Sequence, residues 1–245
     1  MTSVKKVQIT LVRHGYSKGQ ELGVCGGHKD WPLTAFGREQ ARLAGKTLKD
    51  VEFDAIISSD SSRAHDTAEE ILKTNRKCDD GLLILDDQRL REKTYGILDG
   101  QNRGAIFDLA EAKGIIGLRN AKSTKEVENI FVPEGWETHE ELTKRVSGFL
   151  KEFLGQCPES SHTLLASHGG TIRCLLDLLQ ATGKVDGLQP FQDLPTDKKR
   201  PKNTAITSIS LTVDKKTLDI QQGEVTRFYD DLHLEKFNNN SCKSI

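Results

Sequence analysis

Short apolar runs alternate along the chain with segments in which apolar residues recur every three or four positions. The runs VQITLV, FDAIISS and HTLLAS have the length and the β-branched content of buried strands. Four segments of helical periodicity follow or separate them, the last being GTIRCLLDLLQATGK. The run TAITSISLTVD alternates between apolar and polar residues and predicts a later strand. Repeated strand-then-helix units predict a three-layer α/β/α fold with a mostly parallel central sheet and helices on both faces.

Two of the predicted helices carry recognisable start signals. Thr34 is a candidate N-cap for the first, and Thr138 with Glu141 forms a capping-box pattern at the start of the helix predicted over residues 137–154. The apolar positions expected to face the core are Ala41, Ala44, Leu48, Ala64, Ala68, Ile71, Leu72, Leu142, Val146, Phe149, Leu150, Phe153, Ile172, Leu175, Leu176 and Leu179.

The domain organisation follows from what interrupts this alternation. No linker, repeat or low-complexity block divides the 245 residues, so we expect a single domain over residues 1–236 with a sizeable core. The mixed stretch from Gly104 to Pro133 predicts an excursion from the sheet, an inserted lid-like region around residues 101–135. The polar stretch FNNNSCKSI predicts a disordered tail over residues 237–245.

Composition narrows the possible partners and compartment. With 35 basic and 36 acidic residues the formal net charge is -1, so no global field recruits nucleic acid or an acidic membrane. The basic cluster DKKRPK, residues 197–202, is interpreted as a solvated loop. No apolar stretch approaches the roughly 20 residues that span a bilayer, and MTSVKKVQ lacks the apolar core of a signal peptide. Five scattered cysteines without a Cys-x-x-Cys pair indicate reduced thiols, and we expect a soluble, cytoplasmic protein.

Candidate chemistry appears where the predicted strands end. Arg13 and His14 follow the first strand, Arg63 opens the helix after the second, and His168 precedes paired glycines after the third. Because ligands collect outside the carboxyl ends of parallel strands, we expect these four side chains to converge. Guanidinium and imidazole groups around exposed backbone amides favour a multiply charged oxyanion such as phosphate. A neutral imidazole in such a pocket can attack phosphorus, and the neighbouring cations favour its neutral form.

A phosphoryl transfer also needs a proton for the leaving oxygen. Glu92, in the loop-like stretch RLREKTYGILDG, could donate it and later take a proton from water. The alternative is an ordinary surface glutamate.

Taken together, the motifs resemble a known family. The blocks LVRHGYS, SSDSSRAHDTA, RLREKTYGILDG, PEGWETHEELTKRV and LLASHGGTIR resemble, in order, those of the histidine phosphatase superfamily, also called phosphoglycerate mutase-like. The resemblance implies that His14 becomes a phosphohistidine, that Glu92 is the proton donor, and that Arg13, Arg63 and His168 hold the phosphoryl group. It implies substrate binding by Gln20, Gly26, Tyr95, Gly169 and Asn203. It also implies a reaction without a metal or other cofactor, since the cationic side chains carry the charge that a metal would neutralise.

The chain departs from the family pattern beside this constellation. Tyr16-Ser17 stand where the family often has Glu-Thr or Glu-Ser, and Gln20 stands at a family asparagine. Asp66 replaces a glutamine that many members show. We expect Tyr16 and Gln20 to affect the choice of substrate more than the chemical step.

The stretches RLREKTYGILDG and VPEGWET are similar to the TIGAR, or fructose-2,6-bisphosphatase-like, branch, which acts in glycolysis regulation. This favours a phosphatase whose partner is a small phosphorylated metabolite, such as fructose-2,6-bisphosphate or a phosphoglycerate. Two alternatives stay open. One is a mutase-type phosphoryl transferase; the other is a catalytically weak relative that binds a protein or phosphoprotein. Candidate groups for a second anion, or simple surface charges, are Lys93, Arg103, Arg119 and Lys122. The sequence does not fix the substrate or the oligomeric state.

Overall fold

The computed structural model describes residues 3–79, 81–102, 104–112, 135–190, 193–195, 200–235 and 237. These residues form a seven-stranded sheet with the strand order β3-β2-β4-β1-β6-β7-β5. The strands are β1 (Val4–Arg13), β2 (Ala55–Ser58), β3 (Ile84–Asp86), β4 (Ser160–Ser167), β5 (Val185–Asp186), β6 (Ile206–Asp214) and β7 (Ile220–Asp230). The four strand predictions are therefore confirmed, whereas β3, β5 and β7 carry no strong periodic signal in the sequence.

Within this described sheet, the strand directions are parallel with one exception. The strands β3, β2, β4 and β1 run parallel to one another, and β5 runs parallel to β7. Strand β6 is antiparallel to both β1 and β7. The prediction of a mostly parallel sheet is confirmed. The antiparallel insertion arises because a short turn joins β6 to β7, and such a turn can only reverse the chain.

Helices pack against the sheet, and their bounds follow the start signals in the sequence. They are α1 (Lys18–Glu21), α2 (Ala35–Thr47), α3 (Ser62–Thr74), α4 (Ala105–Ala112), α5 (His139–Gln156) and α6 (Gly169–Ala181). Thr34 Oγ1 accepts a hydrogen bond from the Gly37 amide, and Thr138 and Glu141 form the predicted capping box. Short 3₁₀ turns lie at Gln88–Leu90, Gly96–Leu98 and Leu232–Leu234.

The core lies on both faces of the sheet. Successive residues of β1 point to opposite faces, so Leu11 packs into one buried cluster and Val12 into the other. Helices α5 and α6 supply the cluster around Leu11, while α2 and α3 supply the cluster around Val12. This layering explains why VQITLVR has the sequence of a strand buried on both faces. Because β1 is the fourth of the seven strands, its carboxyl end lies near the centre of the edge at which the parallel strands end.

Parts of two sequence expectations lie outside the described residues. Of the inserted region, only α4 and its flanks are described, and residues 103 and 113–134 are not. Of the predicted tail, Phe237 is described and stacks on Phe36 with ring centroids 4.9 Å apart, while residues 238–245 lie outside. Across the described helices, none is long and apolar enough to cross a membrane.

Candidate active site

The strand ends bring the cationic side chains of the sequence analysis to one edge of the sheet. In the parallel β1–β4 pair Arg13 lies opposite Ser167, so the next residues, His14 and His168, are neighbours. Their ring centroids are 5.1 Å apart. Strand β2 pairs with β4 at the same edge and leads into α3, whose second residue is Arg63.

His14 is buried and held in one orientation. Only 5% of it is exposed, and its Nδ1 lies 2.7 Å from the Gly15 carbonyl oxygen. A carbonyl oxygen only accepts, so Nδ1 is the donor and, in the neutral ring, Nε2 keeps a lone pair. Burial, and then the charges of Arg63 and Arg13, hold the pKa of His14 well below its usual 6.5. The ring is therefore neutral at pH 7.

His168 is fully buried at the start of α6. Its Nε2 lies 2.9 Å from Ser59 Oγ, and its Nδ1 has no hydrogen-bond partner among the described residues. Burial lowers the pKa of His168 well below its usual value, and the charge of Arg63 lowers it further. Both histidines are thus neutral in a cationic environment.

Backbone carbonyls accept hydrogen bonds from both arginines of the site. Arg63 is 3% exposed, and its guanidinium donates to Gly27 O at 2.9 Å and to Lys29 O at 3.3 Å. Its contact with Asp30 is longer, 3.8 Å. Arg13 Nη1 donates to Pro201 O at 2.6 Å. Neutral carbonyls thus help to orient both guanidinium groups, and a guanidinium group offers the paired donors that suit an oxyanion.

Glu92 points its carboxylate at the same region. Its Oε2 accepts from the Gly170 amide at 3.1 Å, and its Oε1 accepts from the Lys93 amide at 2.9 Å. It lines two adjoining cavities. The structure thus places Glu92 in the site rather than on an open surface.

Side chains from three other elements fix the loop that carries Glu92. Four consecutive carbonyls, those of residues 89–92, each accept a side-chain hydrogen bond. Arg145 on α5 donates to the first and the fourth, at 2.7 and 3.2 Å. Ser167 donates to the second at 2.7 Å and Thr171 to the third at 2.5 Å. The loop is therefore positioned by α5, β4 and α6 together, and Glu92 has a fixed backbone from which to reach the site.

Two neighbouring cavities open at this edge. The smaller, about 270 Å³, is lined by His14, Arg63, Gln20 and Gly26 among others. The larger, about 450 Å³, is lined by Lys93 and Gly169 among others. Both are lined by Arg13, Glu92, Tyr95, Trp136 and Arg200. The Tyr95 and Trp136 rings meet edge to face at 5.0 Å, and burial raises the pKa of Tyr95.

Gln20 and Asn203 form a reciprocal amide pair. Each donates its side-chain N–H to the other's oxygen at 3.0 Å, and Gln20 Oε1 also accepts from the Ser17 amide. Asn203 Nδ2 donates in addition to the His14 carbonyl at 2.9 Å. Gln20 thus lines the smaller cavity with an amide that is already engaged, and Asn203 supports the backbone of His14.

The sequence motifs do not single out two residues that line the site, Arg200 and Trp136. The basic stretch DKKRPK predicts a solvated loop, and its Arg200 is exposed, but Arg200 also lines both cavities. Its signal in the sequence is its position three residues before Asn203. Trp136 lies within the motif PEGWETHEELTKRV, and the Nζ of Lys93 lies 5.0 Å from the centroid of its ring. Arg103, Arg119 and Lys122 lie outside the described residues.

The described part of the chain holds no group of three or more His, Cys, Asp or Glu side chains arranged to bind a metal ion.

Comparison with known proteins gives matches of two kinds. The sequence model "Histidine phosphatase superfamily (branch 1)" matches residues 9–220. "Fructose-2,6-bisphosphatase TIGAR" from Bos taurus is 36% identical over 149 residues, which are 60% of this chain and 50% of that protein. "Probable phosphoglycerate mutase GpmB" from Escherichia coli O1:K1 / APEC is 34% identical over 173 residues, 71% of this chain and 74% of that protein. The chain thus matches about half the length of the bovine protein.

Solved structures share the fold. The phosphoglycerate mutase from Bacillus anthracis str. Sterne superposes with a TM-score of 0.73 at 23% identity, covering 97% of this chain and 99% of that one. Bacillus stearothermophilus YhfR superposes with a TM-score of 0.70 at 24% identity, covering 94% of this chain and 100% of that one. At these identities the likeness establishes the architecture alone.

Proposed function

Because the chain belongs to the histidine phosphatase superfamily, we propose that it is a metal-independent phosphatase that acts on small phosphorylated metabolites through a phosphohistidine intermediate. The observation that carries the proposal is the state of His14. Its Nδ1–H is engaged with the Gly15 carbonyl and its ring is neutral, so Nε2 offers a lone pair in a cavity that Arg13 and Arg63 also line. A neutral imidazole in a cationic pocket is suited to accept a phosphoryl group.

The proposed reaction has two steps, transfer of the phosphoryl group to His14 and hydrolysis of the phosphohistidine. In the first, His14 Nε2 attacks phosphorus, the P–N bond forms as the P–O bond to the leaving group breaks, and the Glu92 carboxylic acid protonates the leaving oxygen. In the second, water attacks the phosphorus of phosphohistidine and gives a proton to the Glu92 carboxylate. The P–N bond then breaks, phosphate departs, and the lone pair returns to Nε2. Arg13 and Arg63 stabilise the charge on the transferring group in both steps, as a metal would elsewhere.

The larger cavity supports substrates with a second anionic group. Lys93, Arg173 and Arg200 line it, and Arg173 pairs with Asp177, which lines it as well. Its volume, about 450 Å³, suits the body of a sugar phosphate or a phosphoglycerate. Together with the similarity to the bovine TIGAR protein, this favours fructose-2,6-bisphosphate or a phosphoglycerate as the substrate.

A mutase-type transfer is the second candidate, and the similarity to GpmB favours it. The two reactions share the first step. They differ in whether water or a second hydroxyl of the substrate takes the phosphoryl group from His14.

Phosphate release from a panel of phosphomonoesters in the presence of a chelator tests the proposal. The panel contains fructose-2,6-bisphosphate, 2- and 3-phosphoglycerate, and sugar and nucleotide monophosphates. We expect the protein to release phosphate and to carry an acid-labile phosphoryl group during turnover, and His14→Ala to do neither. Conversion between the two phosphoglycerates without phosphate release would instead establish the mutase.

The matched control is His65→Ala. His65 lies on α3, pairs with Asp86 at the end of β3, and does not line either cavity. The variant should retain activity. If the wild type and His14→Ala released phosphate equally slowly from every ester, the enzyme proposal would be wrong, and a role in binding proteins or phosphoproteins would replace it.

A further inference from the structure

Thr204 adopts a backbone conformation that is unfavourable for its side chain. Its φ is +58°, in the left-handed region, and the residue is fully buried. A β-branched residue is rarely found there, because the branch crowds the backbone. Such a conformation persists only where surrounding contacts hold it, so the contacts of Thr204 indicate which part of the structure requires it.

The strained turn delivers hydrogen bonds to the end of β1. The Thr204 amide donates to the Arg13 carbonyl at 2.9 Å, and the preceding Asn203 side chain donates to the His14 carbonyl at 2.9 Å. The φ of residue 204 sets the direction of both donors relative to β6, which begins at Ile206 and pairs with Val12 of β1, so a negative φ would move the donors away from the end of β1. The left-handed conformation therefore fixes the backbone of the proposed nucleophile.

The side chain of Thr204 is anchored by the C-terminal part of the chain. Its Oγ1 lies 3.0 Å from His233 Nε2. Burial lowers the pKa of His233, so the ring is neutral at pH 7. Its Nδ1 is buried without a partner among the described residues, and a buried N–H rarely lacks an acceptor, so the proton resides on Nε2 and is donated to Thr204.

Two further contacts tie the same segment to the site. Asp231 pairs with Lys202 at 2.7 Å, directly before the strained turn. Phe237 stacks on Phe36 at 4.9 Å, and Phe36 meets the Tyr16 ring edge to face at 5.9 Å. The segment thus contacts the turn that supports the His14 carbonyl directly, and it reaches Tyr16, two positions after His14, only through Phe36.

We propose that residues 231–235 and Phe237 form a C-terminal clamp on the catalytic loop, in which His233 is a positioning residue that holds Thr204 in the left-handed conformation. The clamp rests on the proposed function, since it places His14 for attack. It also gives Tyr16, a departure from the family pattern, a structural role as the end of a ring stack.

The test compares two variants. His233→Phe keeps an aromatic ring and removes the hydrogen-bond donor. His233→Gln keeps a side-chain N–H donor at nearly the same distance from Cα as the imidazole Nε2. We expect kcat to fall about tenfold in His233→Phe with KM changed less than about twofold, a loss of about 1.4 kcal/mol in the transition state. The decrease in kcat should be the same for alkyl and aryl phosphates, because the attack of His14 on phosphorus is affected and the protonation of the leaving group is not. His233→Gln should recover most of the activity.

A second variant separates positioning from a general loss of stability. Thr204→Gly removes the strain, because glycine adopts a positive φ without penalty. In that background His233→Phe should lower kcat less than about threefold. Urea denaturation would show whether each variant is folded under the assay conditions.

The outcomes distinguish this inference from the proposed function. Wild-type kcat in His233→Phe, no rescue by His233→Gln, or an undiminished loss in the Thr204→Gly background would each overturn the clamp while leaving the phosphatase intact. If the wild type has no activity, the proposed function fails, and the clamp is judged by NMR. The His14 imidazole resonances, assigned with His14→Gln, should then shift in His233→Phe and return in His233→Gln; unmoved resonances would refute it.

Discussion

Replacing Gly170 with alanine tests the role of Glu92 without altering its carboxylate chemically. A Cβ at residue 170 would lie 2.3 Å from Glu92 Oε1 and 3.3 Å from its Cδ. Ordinary van der Waals contact begins near 3.4 Å, so the carboxylate must retreat by about 1 Å. The hydrogen bond from the Gly170 amide to Glu92 Oε2, now 3.1 Å, is disturbed as well.

The magnitude follows from the role proposed for Glu92. A displacement of about 1 Å of a positioned catalytic group costs on the order of 100-fold, and general acid catalysis contributes 100-fold or more. We therefore expect kcat/KM to fall about 100-fold for alkyl phosphates, whose leaving oxygen needs a proton. For p-nitrophenyl phosphate, whose leaving group is stable as an anion, we expect less than about a threefold change.

The assay measures phosphate release from both ester classes, with stability determined by urea denaturation. The end of the Glu92 side chain can move, so the free energy of unfolding should change by less than about 1 kcal/mol. The matched control is Gly148→Ala, an exposed glycine on α5 with nothing within 4 Å of an added Cβ. It should gain up to about 1 kcal/mol in stability and keep full activity. Equal slowing of alkyl and aryl phosphates by Gly170→Ala, or no slowing of either, would refute the reasoning.

Two further predictions concern stability. Arg145→Met removes the bidentate partner of Glu137, whose side chain is 11% exposed, and the free energy of unfolding measured in urea should fall by about 3 kcal/mol. Part of that loss should return in Arg145→Met/Glu137→Leu, which removes the unpaired carboxylate but leaves the Arg89 and Glu92 carbonyls without their donor; an undiminished loss there would contradict the account. His14, whose pKa is held well below 6.5 in the fold by burial, Arg63 and Arg13, stays neutral where the unfolded chain takes up a proton. The stability that this difference confers is full above about pH 6.5 and is lost as the pH falls towards the pKa of His14 in the fold. His14→Gln should therefore reduce the slope of the free energy of unfolding against pH by up to about 1.4 kcal/mol per pH unit. An unchanged slope between about pH 7.5 and 5 would count against this account.

The parts of the fold that the sequence determined are those encoded by neighbouring residues. The capping box of Thr138 and Glu141 spans three positions, and the apolar faces of α2, α3, α5 and α6 repeat within single helices. Each such pattern is complete within a few turns of chain, so it can be recognised before any tertiary contact forms. The cationic strand ends belong to the same class, because parallel strands always present their carboxyl ends at one edge.

What only the tertiary structure decided depends on pairs far apart in the chain. Gln20 meets Asn203 across 183 positions, and Gly170 meets Glu92 across 78. Thr204 has a positive φ and contacts His233 across 29 positions, and nothing in the local sequence requires a positive φ there. These contacts follow from strand register and helix packing, which fix the three-dimensional neighbours of a residue only once the whole core has formed. The sequence thus determined which side chains could perform the chemistry, and the fold decided which of them are held in place and by what.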